Sequence, residues 1–330
     1  MSGLKLTLLL TVLLLTVTMI SGASGQGESL DKTDLNILYV PGVADPFYYS
    51  MEKGALMKAE EMGVSLDVSE YPELWEPAVQ IPILKRAIAA KKYDLIMIAP
   101  VANDALIVPL KECYNQGIQI ITVDTKIGDG LYTLPSDWSF PLAHIGTDNF
   151  AGAVYLAETL AEQVNEKGKV YINTTTEETS TTEERKNGFM EGISHFPEME
   201  IVQIDYNGDL QTVAMKQTLS ALMKNPDLVA AFGTNVFSSQ GVSAAVKNAG
   251  LSGAVRVAAW DATDSLIASL RNGEVDLVLA QKPAEIGALA VEWAYKYLID
   301  HKEIPPSITS GYVVFNKSNI NNPEMEQYIY

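Results

Sequence analysis

Asp94-Leu-Ile-Met-Ile-Ala-Pro100 returns in outline as Asp227-Leu-Val-Ala-Ala-Phe-Gly233. Each is a short apolar run opened by an aspartate. Each is followed by a stretch of helical character, a glycine (Gly117, Gly250), a second apolar run and a second aspartate (Asp124, Asp261). The two Asp-to-Asp spans are 30 and 34 residues. Strands that are apolar throughout belong to parallel sheets covered by helices on both faces. The repeat therefore predicts two similar α/β lobes.

The same alternation extends outward. β-rich runs fall at Ile37–Pro41, Val64–Val68, Ile118–Val123, His144–Gly146, Lys169–Asn173, Glu200–Asp205, Val255–Ala259 and Leu277–Ala280. Tyr48–Met62, Ala151–Val164 and Ile286–Ile299 carry apolar residues at helical spacing between them. Each half opens with a strand leading to a helix with internal glycine, Gly54 in one and Gly188 with Gly192 in the other. Pro82, inside the pattern Ala78–Ala90, should kink that helix or mark its start. No short period recurs many times, which excludes a solenoid. Residues 126–143, rich in turn formers and containing Trp138, read as a long connecting loop near the lobe boundary.

The chain has 330 residues, 47% hydrophobic and 19% charged, which suits a globular protein and two domains. With 23 Lys plus Arg against 41 Asp plus Glu, the net charge of −18 argues against nucleic-acid binding, which draws its affinity from cationic side chains. The single cysteine, Cys113, permits neither an internal disulfide nor a cysteine metal site and reads as a buried thiol. Residues 1–25 combine Lys5, the apolar run 6–20 and the small-residue exit 21–25, the pattern of a secretory signal peptide. No cysteine stands at that exit, so no lipid attachment is expected there. The expected product is exported, extracytoplasmic and soluble.

In open α/β sheets ligands sit beyond the carboxyl ends of the strands. Asp45-Pro46-Phe47-Tyr48 follows the first strand. Asp45 and Pro46 suit a helix start, and Phe47 and Tyr48 offer aromatic faces to the apolar side of a sugar ring. Asp124 and Asp261 end equivalent strands, so they should face each other across a cleft and accept hydroxyl protons. Arg185, at a helix start, can donate several hydrogen bonds. Asn235 and Gln281 follow strands and can both donate and accept.

Catalytic and cofactor patterns are absent. The sequence has no nucleophile elbow, phosphate-binding glycine loop or dinucleotide fingerprint. His144, His195 and His301 are scattered and lack partners at metal spacing. No enzyme activity, cofactor or metal is expected. The sequons at Asn173 and Asn316 matter only in a glycosylating host.

These residues resemble the periplasmic sugar-binding protein family of the ribose and galactose type. Asp45-Pro-Phe-Tyr is similar to the family's Asn-Asn-Pro-Phe-Phe, and Ile121-Thr-Val-Asp124 to its Ile-Thr-Leu-Asp. Arg185-Lys-Asn-Gly-Phe189 resembles its Arg-x-x-Gly-Phe, and Thr234-Asn235 its Asn after a strand. Trp260-Asp261 resembles Phe-Asp, and Gln281-Lys-Pro-Ala-Glu-Ile-Gly287 resembles Gln-x-Pro-x-x-Ile-Gly. The resemblance spans about residue 34 to 320.

It implies a periplasmic binding protein-like I fold: two Rossmann-like lobes, each a parallel sheet flanked by helices, joined by three crossovers near residues 146, 281 and 310. The lobes would be 34–146 plus 282–310 and 147–281 plus 311–330. It implies a ligand shell of Asp45, Phe47, Tyr48, Asp124, Arg185, Tyr206, Asn235, Asp261 and Gln281, with Tyr206 closing over the sugar and Trp75 and Thr125 as further candidates. It also implies capture of a sugar or polyol by hinge closure and delivery, as a monomer, to the permease of an ATP-driven importer. The alternative is a sensor of the same fold that presents its ligand to a membrane receptor. Thr125 stands where ribose-type members often carry Arg, Asp45 replaces an amide, Tyr48 adds a hydroxyl, and the 126–143 loop is longer. These departures argue for a ligand other than ribose.

Overall fold

The computed structural model describes residues 34–330; the expected signal segment 1–25 lies outside them. In chain order the elements are β1 (Asn36–Val40), α1 (Pro46–Met62), β2 (Ser65–Val68), α2 (Pro77–Ala90), β3 (Leu95–Ile98), α3 (Ile107–Asn115), β4 (Gln119–Val123) and β5 (Ala143–Thr147). Then come α4 (Asn149–Gln163), β6 (Lys167–Thr174), α5 (Ser180–Ser194), β7 (Glu198–Tyr206), α6 (Gln211–Lys224), β8 (Leu228–Gly233), α7 (Val236–Asn248), β9 (Arg256–Trp260), α8 (Asp264–Arg271) and β10 (Leu277–Ala280). The chain ends with α9 (Pro283–Leu298), β11 (Ser307–Ser310), β12 (Val313–Asn316) and a 3-10 turn at Pro323–Tyr328.

Two six-stranded sheets form, in the orders β11-β5-β4-β3-β1-β2 and β12-β10-β9-β8-β6-β7. Taken strand for strand, the orders are the same, so the internal repeat is a repeat of topology. All neighbours in the first sheet are parallel. In the second only β12 runs antiparallel, against β10. β3 and β10 are buried at every residue, as expected for strands covered on both faces. β11 and β12, absent from the strand runs named above, are four-residue edge strands, β11 of mixed polarity and β12 mostly apolar.

The chain passes between sheets after β5, after β10 and between β11 and β12. Two of these passages exchange helices. α4 leaves the first sheet and packs on α5 of the second, while α9 leaves the second and packs on α1 of the first. Both contacts close through glycine. A Cβ on Gly54 would stand 2.0 Å from the Ala284 carbonyl oxygen, and one on Gly287 would stand 2.1 Å from that of Met51. At the other contact, a Cβ on Gly188 would meet the Phe150 carbonyl oxygen at 2.3 Å. The internal glycines of the sequence are thus the points where exchanged helices touch backbone to backbone.

The helix starts follow local chemistry. Asp45 accepts the Tyr48 amide proton, Pro46 occupies the first helical position, and Gly63 ends α1 in left-handed backbone. α2 begins at Pro77, so Pro82 lies within the helix and does not mark its start. Residues 126–143 are not a loose connector. Ile127 and Tyr132 are buried, Trp138 and Phe140 pack on the same apolar cluster, and the Tyr132 and Thr122 hydroxyls are 2.8 Å apart. Cys113 is fully buried and its thiol pKa is pushed up to about 12 by burial, which keeps it unreactive.

In an open helix Gly→Ala stabilises, by up to about 1 kcal/mol. At Gly54 the added methyl meets backbone. Gly54→Ala is expected to destabilise by about 1–3 kcal/mol, read as a lower urea midpoint. An unchanged or higher midpoint would contradict this packing.

Candidate functional site

The carboxyl ends of both sheets face one cavity of about 140 Å³. From the first sheet it is lined by Asp45, Phe47, Tyr48, Trp75 and Asp124; from the second by Arg185, Asp209, Asn235, Phe237 and Asp261, with Gln281 at the passage between them. Threonines 175, 176 and 179 add hydroxyls from the β6–α5 connection, and threonines 181 and 182 from the first turn of α5.

Two aspartates occupy equivalent places. Asp124 follows β4 and Asp261 follows β9, both in left-handed backbone with φ of 60° and 75°. That conformation costs a non-glycine residue about 1 kcal/mol or more, and aspartate tolerates it better than most. The Asp124 amide donates to Ile145 O at 2.9 Å, and the Asp261 amide donates to Leu279 O at 2.8 Å. Each backbone bond thus reaches the next strand of its own sheet and turns a carboxylate out of the strand end. Both residues are only 5–6% exposed.

Their side chains are half satisfied. Tyr48 donates its hydroxyl to Asp124 Oδ2 at 2.7 Å. Asp261 Oδ1 accepts from Gln281 Nε2 at 2.7 Å and from the Tyr330 hydroxyl at 2.8 Å. Gln281 is itself held by Thr147, which donates to its Oε1 at 2.8 Å. Asp124 Oδ1 and Asp261 Oδ2 accept no hydrogen bond from the described residues. One carboxylate oxygen of each buried aspartate is left for donors entering the cavity.

Arg185 is fixed from behind. Its Nε donates to Asn149 Oδ1 at 2.8 Å, Nη1 donates to Thr234 O at 3.1 Å, and the guanidinium stacks 4.5 Å over the Trp260 ring. Its charge favours the ionised form of Asp124, but burial prevails and lifts that pKa to about 6. Burial lifts Asp45 to about 7, and the charges of Asp261 and Asp124 add to the effect. Burial also raises Asp209, whose Oδ1 accepts from Asn235 Nδ2 at 2.7 Å. His144 falls to about 3, because burial excludes the imidazolium.

The aromatic side of the cavity is continuous. Phe47 meets Tyr48 edge-on at 5.1 Å and Tyr330 at 5.8 Å, and Tyr48 stacks on Trp75 at 6.2 Å. Beside it, Lys126 of the first lobe forms an ion pair with Glu184 on α5 of the second, half-buried against solvent.

Nine of the eleven sequence-derived candidates line this cavity: Asp45, Phe47, Tyr48, Trp75, Asp124, Arg185, Asn235, Asp261 and Gln281. Two do not. Thr125 turns back and donates its hydroxyl to Pro100 O at 2.7 Å. Tyr206 ends β7 facing α5, where its hydroxyl lies 2.9 Å from Lys186 Nζ and donates to Glu183. The chain then turns through Gly208 and Asp209, both in left-handed backbone, and Asp209 reaches the cavity instead. The turn-forming triplet Asn207-Gly-Asp after a strand was the available signal for Asp209. Tyr330 had no local signal; its place against Asp261 and Phe47 exists only in the folded chain.

The periplasmic binding protein domain family model matches residues 37–303. A solved ABC transporter solute binding protein from Agrobacterium vitis, bound with alpha-D-tagatopyranose, is 37% identical with a TM-score of 0.85. The match covers 90% of this chain and 99% of that one. The D-allose-binding periplasmic protein of Escherichia coli is 27% identical over 254 residues, 76% of this chain and 80% of its own. The ribose import binding protein of Haemophilus influenzae is 27% identical over 300 residues, 90% and 94% of the two chains.

The raised Asp45 pKa has a thermodynamic consequence. Between about pH 4 and 7 the folded protein holds a proton there that the unfolded chain has released, so ligand-free stability falls as pH rises. Asp124 acts in the same direction up to about pH 6. Asp45→Asn keeps the helix cap, since Asn caps as well as Asp. The variant is expected to melt several degrees higher at alkaline pH and to show a flatter pH profile. Identical melting profiles for variant and parent would contradict the assignment.

Proposed function

This chain belongs to the periplasmic binding protein family, and on that footing we propose that it captures a sugar or related polyhydroxylated small molecule between its two lobes and delivers it to the permease of an ABC importer. The observation that carries this reading is the pair of buried strand-end aspartates, one from each sheet, that line the cavity and each leave one oxygen without a hydrogen-bond donor among the described residues. Vicinal hydroxyls supply the protons these oxygens lack. Phe47, Tyr48, Trp75 and Phe237 offer the apolar faces that a sugar ring's C–H surfaces require. Arg185 donates toward the ligand. Relatives named for alpha-D-tagatopyranose, D-allose and ribose are consistent with a monosaccharide-sized ligand.

The role is binding and release, with no bond broken. The lobes are 34–146 plus 282–310 and 147–281 plus 311–330, with the three passages acting as a hinge. The protein works as an extracytoplasmic monomer after removal of residues 1–25. No helix among the described residues is long and apolar enough to cross a membrane. The sensor alternative receives no support from the relatives named above, two of which carry names from import and periplasmic binding.

A thermal-shift panel of pentoses, hexoses and polyols identifies the ligand, since a bound ligand raises apparent stability by mass action. Calorimetry on Asp124→Ala and Asp261→Ala then tests the site. Each lost charge-assisted hydrogen bond is worth about 1.5–3 kcal/mol, so affinity should fall by at least about tenfold. Unchanged affinity in both variants would overturn the site.

A further inference from the structure

The cavity lining holds four carboxylates, Asp45, Asp124, Asp209 and Asp261, and one guanidinium, Arg185. None of the four makes an ion pair with a lysine, arginine or histidine among the described residues. The three ion pairs at the margin are internally neutral: Lys126 with Glu184, Lys186 with Glu183, and Lys282 with Glu285. The one guanidinium is the only cation in the lining among the described residues. Its hydrogen bonds go to Asn149 and Thr234, and its field acts on Asp124 and reaches Tyr330 beside Asp261.

The other three carboxylates have no cationic partner of their own. Asp45 stands at the start of α1 and has its Oδ1 on the Tyr48 amide. Asp209 has its Oδ1 on Asn235. Asp261 has its Oδ1 on Gln281 and Tyr330. Asp209 and Asp261 each keep a second oxygen that accepts no hydrogen bond from the described residues, and the charge of Asp261 is felt by both Asp45 and Asp209. Asp261 is only 5% exposed and lines the cavity, and its Oδ2 accepts no hydrogen bond from the described residues. A neutral polyol can donate hydrogen bonds to such a set, but the like-charge repulsion is then relieved only by protons that Asp45 and Asp124 take up. Among the described residues no group of three acidic, histidine or cysteine side chains has the geometry to hold a metal ion. The balancing charge is then expected on the organic ligand.

Building on the capture of a polyhydroxylated molecule proposed above, we propose that the preferred ligand carries a protonated amine among its hydroxyls, an amino sugar or amino polyol. The ammonium sits toward Asp45, Asp209 and Asp261, away from Arg185, and the hydroxyls sit toward Asp124 and the guanidinium. An ammonium gives three donors to carboxylate oxygens in charge-assisted bonds and removes the like-charge repulsion.

Matched pairs test this: hexoses and hexitols against their aminodeoxy counterparts with the amine at carbon 1, 2 or 6, titrated calorimetrically near neutral pH. At least one amine is expected to bind tenfold or more tightly than its neutral partner, with affinity falling as salt is added. Asp209→Asn keeps an acceptor for Asn235 and removes one charge, so it should cut the amine-to-neutral ratio by about tenfold. Neutral members binding as tightly as or more tightly than every amine would overturn the inference and leave sugar capture standing. Binding of no member of any pair would overturn sugar capture and this inference together. An amine preference that survives in both Asp209→Asn and Asp45→Asn would overturn the proposed seat of the charge.

Discussion

The arrangement depends on one backbone constraint met twice. A strand in the middle of each sheet ends on an aspartate in left-handed backbone, with its amide tied to the adjacent strand and its carboxylate turned outward. Neither carboxylate would survive buried and half-satisfied in an ordinary core, because the missing hydrogen bonds cost too much. The fold tolerates them because the open ends of two sheets meet there and a third party can complete them. The Tyr48, Gln281, Thr147 and Tyr330 contacts all hold these two groups in position.

The helix exchange ties the two sheets together. α4 follows β5 of the first sheet and packs on α5 of the second, while α9 follows β10 of the second and packs on α1 of the first, so each lobe is completed by a helix that enters from the other. Backbone-to-backbone contact at Gly54, Gly287 and Gly188 leaves no room for a side chain in those packings. The hinge closure proposed above would place its motion in the three passages between the sheets.

Much of this was legible in the chain itself. Apolar runs closing on Asp124 and Asp261 marked both the repeat and the site, because a buried strand and a strand-end carboxylate are local patterns. The internal glycines were visible, though their partners were not, since Ala284 and Phe150 meet them only across the fold. β11 escaped because Ser-Ile-Thr-Ser carries no continuous apolar signal, and β12 because its apolar run Val313-Val-Phe315 is only three residues long. Tyr206 and Asp209 exchanged places because the left-handed turn at Gly208-Asp209 carries the chain three residues further before it faces the cavity. The 126–143 segment looked like a free loop by composition, but Tyr132, Trp138 and Phe140 anchor it to the core.

The central claim is that a ligand completes carboxylates belonging to opposite lobes and so holds the lobes together. The most direct measurement is small-angle X-ray scattering of the protein with and without saturating ligand, the ligand being whichever molecule raises its melting temperature. The radius of gyration is expected to contract on binding in the parent, and the contraction to be lost in Asp261→Ala at full occupancy. Tight binding with the same radius of gyration in the free and bound parent protein would contradict the claim.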